Sequence, residues 1–277
     1  MMQTHENKET SSLLTISYVY LKFIFEIFGG LKRIRRNRMR KPRSDGLETR
    51  QRLLAAACEI FAAKGFREAT TAEICRKAGA NAAAINYHFG GKDALYVASW
   101  RYAFEKSLQS HPPDGGVSAN AAPEERLRGR IFSIMQRIVD PDSHEFDIVH
   151  KEMASPTGLL AETIDESLEP IRHGLASVVR ELLGENATEQ QVRLCRMSIK
   201  AQCFGPLLRE RRRKQTARPP HPPRPEPLVE DVDTLADHVT RFSLAGIRQI
   251  RLQNAVQPPE RTTERAAEPD RGRVRSS

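Results

Sequence analysis

The sequence predicts an all-α protein, with a small three-helix unit at the front and a larger helical unit behind it. Apolar residues recur at helical spacing along most of the chain, and no stretch alternates with the period of a strand. Glycines and prolines fall where one periodic segment gives way to the next.

The elements follow in order. Leu53, Leu54, Ala57, Ile60 and Phe61 form a helical stripe, and Gly65 closes that helix. Thr70 is a good N-cap for a second helix, and Glu73 three residues on completes a capping box. Ile74, Cys75 and Ala78 give that helix an apolar face, and Gly79 supplies the left-handed conformation that ends it. Asn81 can cap a third helix. Ala82, Ala83 and Ala84 keep its surface low, and Ile85 and Phe89, spaced i and i+4, pin it to the core.

Lys92 opens a helix to about Ser110 carrying Leu95, Trp100, Phe104 and Leu108. Residues 111–123, HPPDGGVSANAAP, read as a loop. Glu124 to Val139 is amphipathic through Leu127, Ile131, Ile134, Met135 and Ile138, and Pro141 breaks it. Glu145 to Ala154 is a short helix. Leu159 to Leu183 follows, with Pro170 kinking it or splitting it in two and Gly184 ending it. Thr188 caps a helix to about Leu208. The Pro- and Arg-rich stretch 209–227 reads as a linker or mobile loop, and Leu228 to Leu252 as a last helix. The polar tail 256–277 is expected to be disordered.

Hydrophobic residues make up 39% of 277, low for a chain this long, so part of it should remain unpacked. The net charge of +9 is concentrated: Lys32 to Arg43 holds eight Lys/Arg and no acid, a run suited to attracting phosphates. Cys58, Cys75, Cys195 and Cys203 form no CxxC pair, which gives no sign of a zinc site of that type. They suit small buried hydrophobes in a reducing cytoplasm. His144, Asp147, His150 and Glu152 are poorly spaced for a metal, so no metal and no cofactor is expected. No nucleophile elbow, P-loop, GxGxxG or HExxH occurs, which argues against an enzyme.

The stretch 70–96 carries the function. A short helix, a tight turn, a second short helix and a lysine opening a third is how a helix-turn-helix presents one helix to the major groove. Asn86, Tyr87 and His88 are left to face outward, and asparagine can bond adenine through N6 and N7.

GFREATTAEICRKAGANAAAINYHFGGKDALY resembles the DNA-binding domain of the TetR family of transcriptional regulators over about residues 47–100. That resemblance implies DNA contacts from Thr70, Thr71, Ala82, Ala83, Asn86, Tyr87, His88 and Lys92. Thr71, Tyr87, His88 and Lys92 match phosphate-contacting positions and Asn86 a base-reading one. The family usually carries a tyrosine where this chain has Asn86. The NYHFGGK variant, with KEMASPTGLL and HVTRFSLAGIRQI, resembles a subgroup with a CerR-type (YbiH-like) C-terminal domain.

The resemblance also implies a homodimer formed through the last two long helices, and a small-molecule effector. Leu235, Val239, Phe242 and Gly246 follow one helical face suited to that interface. Trp100, Phe104, Phe132, Met135, Glu152, Met153 and Phe204 could line a pocket. The expected organisation is an extension at 1–43, a DNA-binding unit at 44–91, and a regulatory and dimerisation unit at 92–255 that includes the loop 209–227. The expected function is a cytoplasmic repressor released from double-stranded DNA by a small molecule.

The alternative is a membrane-tethered regulator or adaptor using residues 13–31. Leu13 to Phe28 is apolar, but Lys22 and Glu26 interrupt it, and a spanning helix needs about 20 apolar residues. Met39 is a plausible start for the recognisable domain.

Overall fold

The computed structural model describes residues 44–215 and 231–256. The apolar segment 13–31, the basic run 32–43, the rest of the expected loop beyond residue 215 and the residues beyond 256, expected to be disordered, lie outside the described residues. Within them the fold is all-α, with helices α1 (Ser44–Glu68), α2 (Thr71–Ala78), α3 (Ala84–Phe89), α4 (Lys92–Ser110), α5 (Pro123–Val139), α6 (Glu145–Ala154), α7 (Ala161–Leu183), α8 (Glu189–Gln215) and α9 (Val232–Val256).

Two cores form. The first gathers the predicted stripe of α1 with Ile74, Cys75, Ile85, Leu95, Tyr96, Trp100 and Phe104, and takes in Ile148 of α6 and Leu160 and Ile164 at the entrance to α7. The second gathers Leu127, Ile131, Met135 and Ile138 of α5 with Val178, Val179, Leu182 and Leu183 of α7. α8 and α9 close it through Ile199, Cys203, Leu207, Ala236, Val239 and Ile247. Helix α7 therefore serves both cores and is unbroken at Pro170, which stands exposed. Gly65 turns the chain at φ 76° near the end of α1, and a Cβ there would lie 3.3 Å from Lys151 Cβ.

Polar groups staple the two cores. Arg137 and Glu145, each 3% exposed, pair at 2.8 Å, and Ser107 donates to the same carboxylate at 2.9 Å. The Arg137 guanidinium also lies 5.1 Å from the Phe104 ring, joining α5 to the first core.

The structure redraws two ends expected from sequence. Helix α8 continues through the basic run to Gln215 instead of stopping near Leu208. Arg211 accounts for this: it pairs with Asp147 at 2.7 Å and donates to the carbonyls of Ile138, Asp140 and Ser143. The last helix starts at Val232, not Leu228, because Asp231 caps it by accepting the Thr234 amide at 2.7 Å. At the head of α8, Thr188 and Gln191 exchange amide-to-side-chain bonds at 3.2 and 3.0 Å, a complete capping box.

Candidate nucleic-acid interface and effector cavity

Thr70 Oγ1 accepts the Glu73 amide at 3.2 Å. The Glu73 carboxylate, however, takes Lys64 Nζ at 2.6 Å, so the expected capping box is half made. Gly79, at φ 59° and ψ 39°, ends α2, and the Ala80 amide bonds the Cys75 carbonyl at 2.9 Å. Asn81 then accepts the Ala83 amide at 2.9 Å. This side-chain turn holds Ala82 and Ala83 ahead of the helix, so both are turn residues and α3 proper begins at Ala84.

Inside, Ile85 is 1% exposed and Phe89 packs against the first core beneath the Arg50 guanidinium. Outside, Asn86 is exposed and Tyr87 is 82% exposed, its ring edge-on to the half-buried His88. Thr70, Thr71, Ala82 and Ala83 are all exposed, and Thr70 also caps α2. Lys92, at the head of α4, sits with its ammonium 4.4 Å from the Phe66 ring, and burial lowers its pKa while Asp93 opposes the shift.

The seven residues expected to line a pocket are spread over the two cores and α6. Trp100 and Phe104 stack at 5.1 Å inside the first core. Met135 is fully buried in the second, with Phe132 and Phe204 packed on it. Met153 is half-buried on α6. Glu152 receives the Tyr96 hydroxyl at 3.1 Å and the Thr157 and Gly158 amides at 2.8 and 2.9 Å. These bonds tie the turn after α6 to α4.

A cavity of about 30 Å³ lies instead between α5, α7 and α8, lined by Arg130, Ile131, Ile134, Ile171, Lys200 and Cys203 among others. None of the seven borders it. The sequence signal for it was a basic residue set into an apolar stripe: Arg130 beside Ile131, and Lys200 beside Ile199.

On α9 the expected interface residues divide. Val239 is 1% exposed within the chain's own core and Leu235 packs against it, whereas Phe242 is 63% exposed and Gly246 is exposed. The outward stripe runs His238, Phe242, Ala245, Gln249, Leu252 and Val256, and α8 beside it exposes Leu194 and Met197.

Residues 53–98 match the family described as bacterial regulatory proteins of the tetR family. Residues 123–247 match the C-terminal domain of the HTH-type transcriptional dual regulator CecR. The chain is 28% identical over 128 residues to the uncharacterized HTH-type transcriptional regulator TtgW of Pseudomonas putida, covering 46% of this chain and 84% of that one. It is 26% identical over 162 residues to the dual regulator CecR of Shigella flexneri, covering 53% and 70%. The fold resembles the crystal structure of a TetR-like transcriptional regulator from Rhodococcus sp. RHA1, with TM-score 0.54 at 18% identity over 76% of this chain and 99% of that one.

Proposed function

The chain belongs to the TetR family of DNA-binding transcriptional regulators, and we propose that it works in the cytoplasm as a homodimeric repressor released from an inverted-repeat operator by a small molecule. The observation that carries the reading is the division of α3. Ile85 and Phe89 hold one side in the core, while Asn86 and Tyr87 stand clear of every other part of the described chain's core. A tyrosine so exposed on a well-packed helix is suited to a phosphate, and Asn86 beside it to a base edge. Thr70, Thr71, His88 and Lys92 complete a phosphate-facing rim, with Ala82 and Ala83 keeping the approach low.

Dimerisation rests on the outward stripe of α9 and the exposed Leu194 and Met197 of α8. Two-fold symmetry would set two reading helices about 34 Å apart, one turn of DNA. Among the described residues no helix is long and apolar enough to cross a membrane.

Footprinting upstream of the protein's own gene is expected to protect an inverted repeat. Asn86→Ala should cost about 1–3 kcal/mol on that site and relax preference at one base per half-site. A single asymmetric half-site would remove the dimer, and equal losses on cognate and random DNA would remove base reading by Asn86.

A further inference from the structure

We infer that the cavity between α5, α7 and α8 receives an amphipathic anion, its charged head held by Arg130 and Lys200 and its apolar body by Ile131, Ile134, Ile171 and Leu175. The inference rests on the effector reading above and names the chemical class of that effector.

Three basic side chains border the cavity and no carboxylate does. Arg137 is already neutralised by Glu145. The other two are Arg130, which the Asp114 carboxylate also influences, and Lys200. The Nε of Arg130 is buried without a hydrogen-bond partner, a position that costs free energy until an acceptor arrives.

Its guanidinium is also placed there by sequence. Gly174 of α7 lies opposite, and a Cβ at that position would come within 2.6 Å of Arg130 Nη1. Even alanine at 174 would displace the head of Arg130.

Lys200 enters from α8, with burial and then Arg196 and Arg172 pushing its ammonium down to about 7. Arg196 has its own Nε buried without a partner. Arg172 is committed to Asp165 at 2.6 Å and to Glu169 at 3.5 Å, so it adds positive potential without being a ligand. An anion in the void would relieve Arg130 and favour the charged form of Lys200.

The remaining wall is isoleucine, leucine, Cys203, Pro113 and Ser133, whose hydroxyl donates to the His111 carbonyl at 3.2 Å. A void of about 30 Å³ holds little more than the head of such a ligand. The body must therefore part α7 from α5 and α8, and α7 is the helix shared by both cores. Occupancy at Ile171 and Leu175 is thereby felt at Leu160 and Ile164, beneath the reading head.

The test uses the full chain and four probes: octanoate, 1-octanol, octylamine and inorganic phosphate, with affinities from titration calorimetry. Octanoate is expected to bind at least tenfold more tightly than the alcohol or the amine, and phosphate alone to bind weakly. Arg130→Gln combined with Lys200→Met should reduce octanoate to the level of the alcohol, with circular dichroism unchanged. Removing buried positive charge gives that variant no reason to unfold. Gly174→Ala should weaken octanoate and leave octanol alone.

Equal affinity for alcohol and carboxylate, preference for the amine, phosphate binding as tightly as octanoate, or no millimolar binding of any probe would overturn the inference. Operator release by octanol without an octanoate preference would leave the effector reading standing and remove only the anion. Failure of the footprint would remove the regulator reading and leave the binding data intact.

Discussion

Lys200 places an ammonium against isoleucine and leucine, and burial, Arg196 and Arg172 together bring its pKa from 10.5 to about 7. The folded state thus holds fewer protons than the unfolded chain between those two values. Stability from this group must rise as pH climbs from about 7 towards 10.5, and its penalty is fully present below the folded pKa. Chemical denaturation of wild type and Lys200→Met across that range should show the gap in the variant's favour narrowing as pH rises. A gap independent of pH would mean that the lysine is not buried as charge. At this scale the sequence was informative in part. It placed Glu152 among the candidate pocket residues, and a carboxylate packed into the protein needs a partner. It could not show that a tyrosine 56 residues away and two amides just downstream supply it, because those contacts exist only once α4, α6 and the following turn are packed.

Helix α9 shows how periodicity informs and where it stops. Its apolar face was legible, yet Leu235, Val239, Phe242 and Gly246 span both the inward side and the edge of the outward one. Spacing alone carries no sign for inside. Contacts supply it: Val239 meets the second core, and Gln191 of α8 exchanges two side-chain bonds with Asn254, at 2.8 and 3.1 Å, fixing α9 against its neighbour. Phe242 is left outside that pairing. Phe242→Asp should yield monomers by sedimentation with helicity retained, since an unpaired carboxylate at an interface centre is costly while at an exposed position it is not. Operator affinity should fall far more than half-site binding; a surviving dimer would place the interface elsewhere. The end of α8 was legible only to Leu208, because a run of arginines looks solvated unless the carboxylate and carbonyls that fasten Arg211 are in view.

For the whole molecule, the buried pair Arg137–Glu145 is the junction. Arg137 comes from α5 and leans on Phe104 of the first core, while Glu145 opens α6 and accepts from Ser107 of α4. Glu145→Gln leaves Arg137 charged, buried and short of its partner, which should cost about 3–5 kcal/mol. Denaturant melts should show that loss in one cooperative transition; two separated transitions would show that the cores unfold independently. The amino acids suggest a reading head and a larger rear unit, and residues 53–98 and 123–247 match two different family models. The packing is less modular than those limits. Ile148 of α6, Leu160 just ahead of α7 and Ile164 within it join the core of the head, so the head is finished by chain that comes well after Lys92. Anyone recombining this regulator with a relative, in the laboratory or over evolutionary time, would have to exchange α6 and the first turns of α7 along with the helix-turn-helix, or exchange neither. The heritable unit of operator choice is larger than the part that touches the operator.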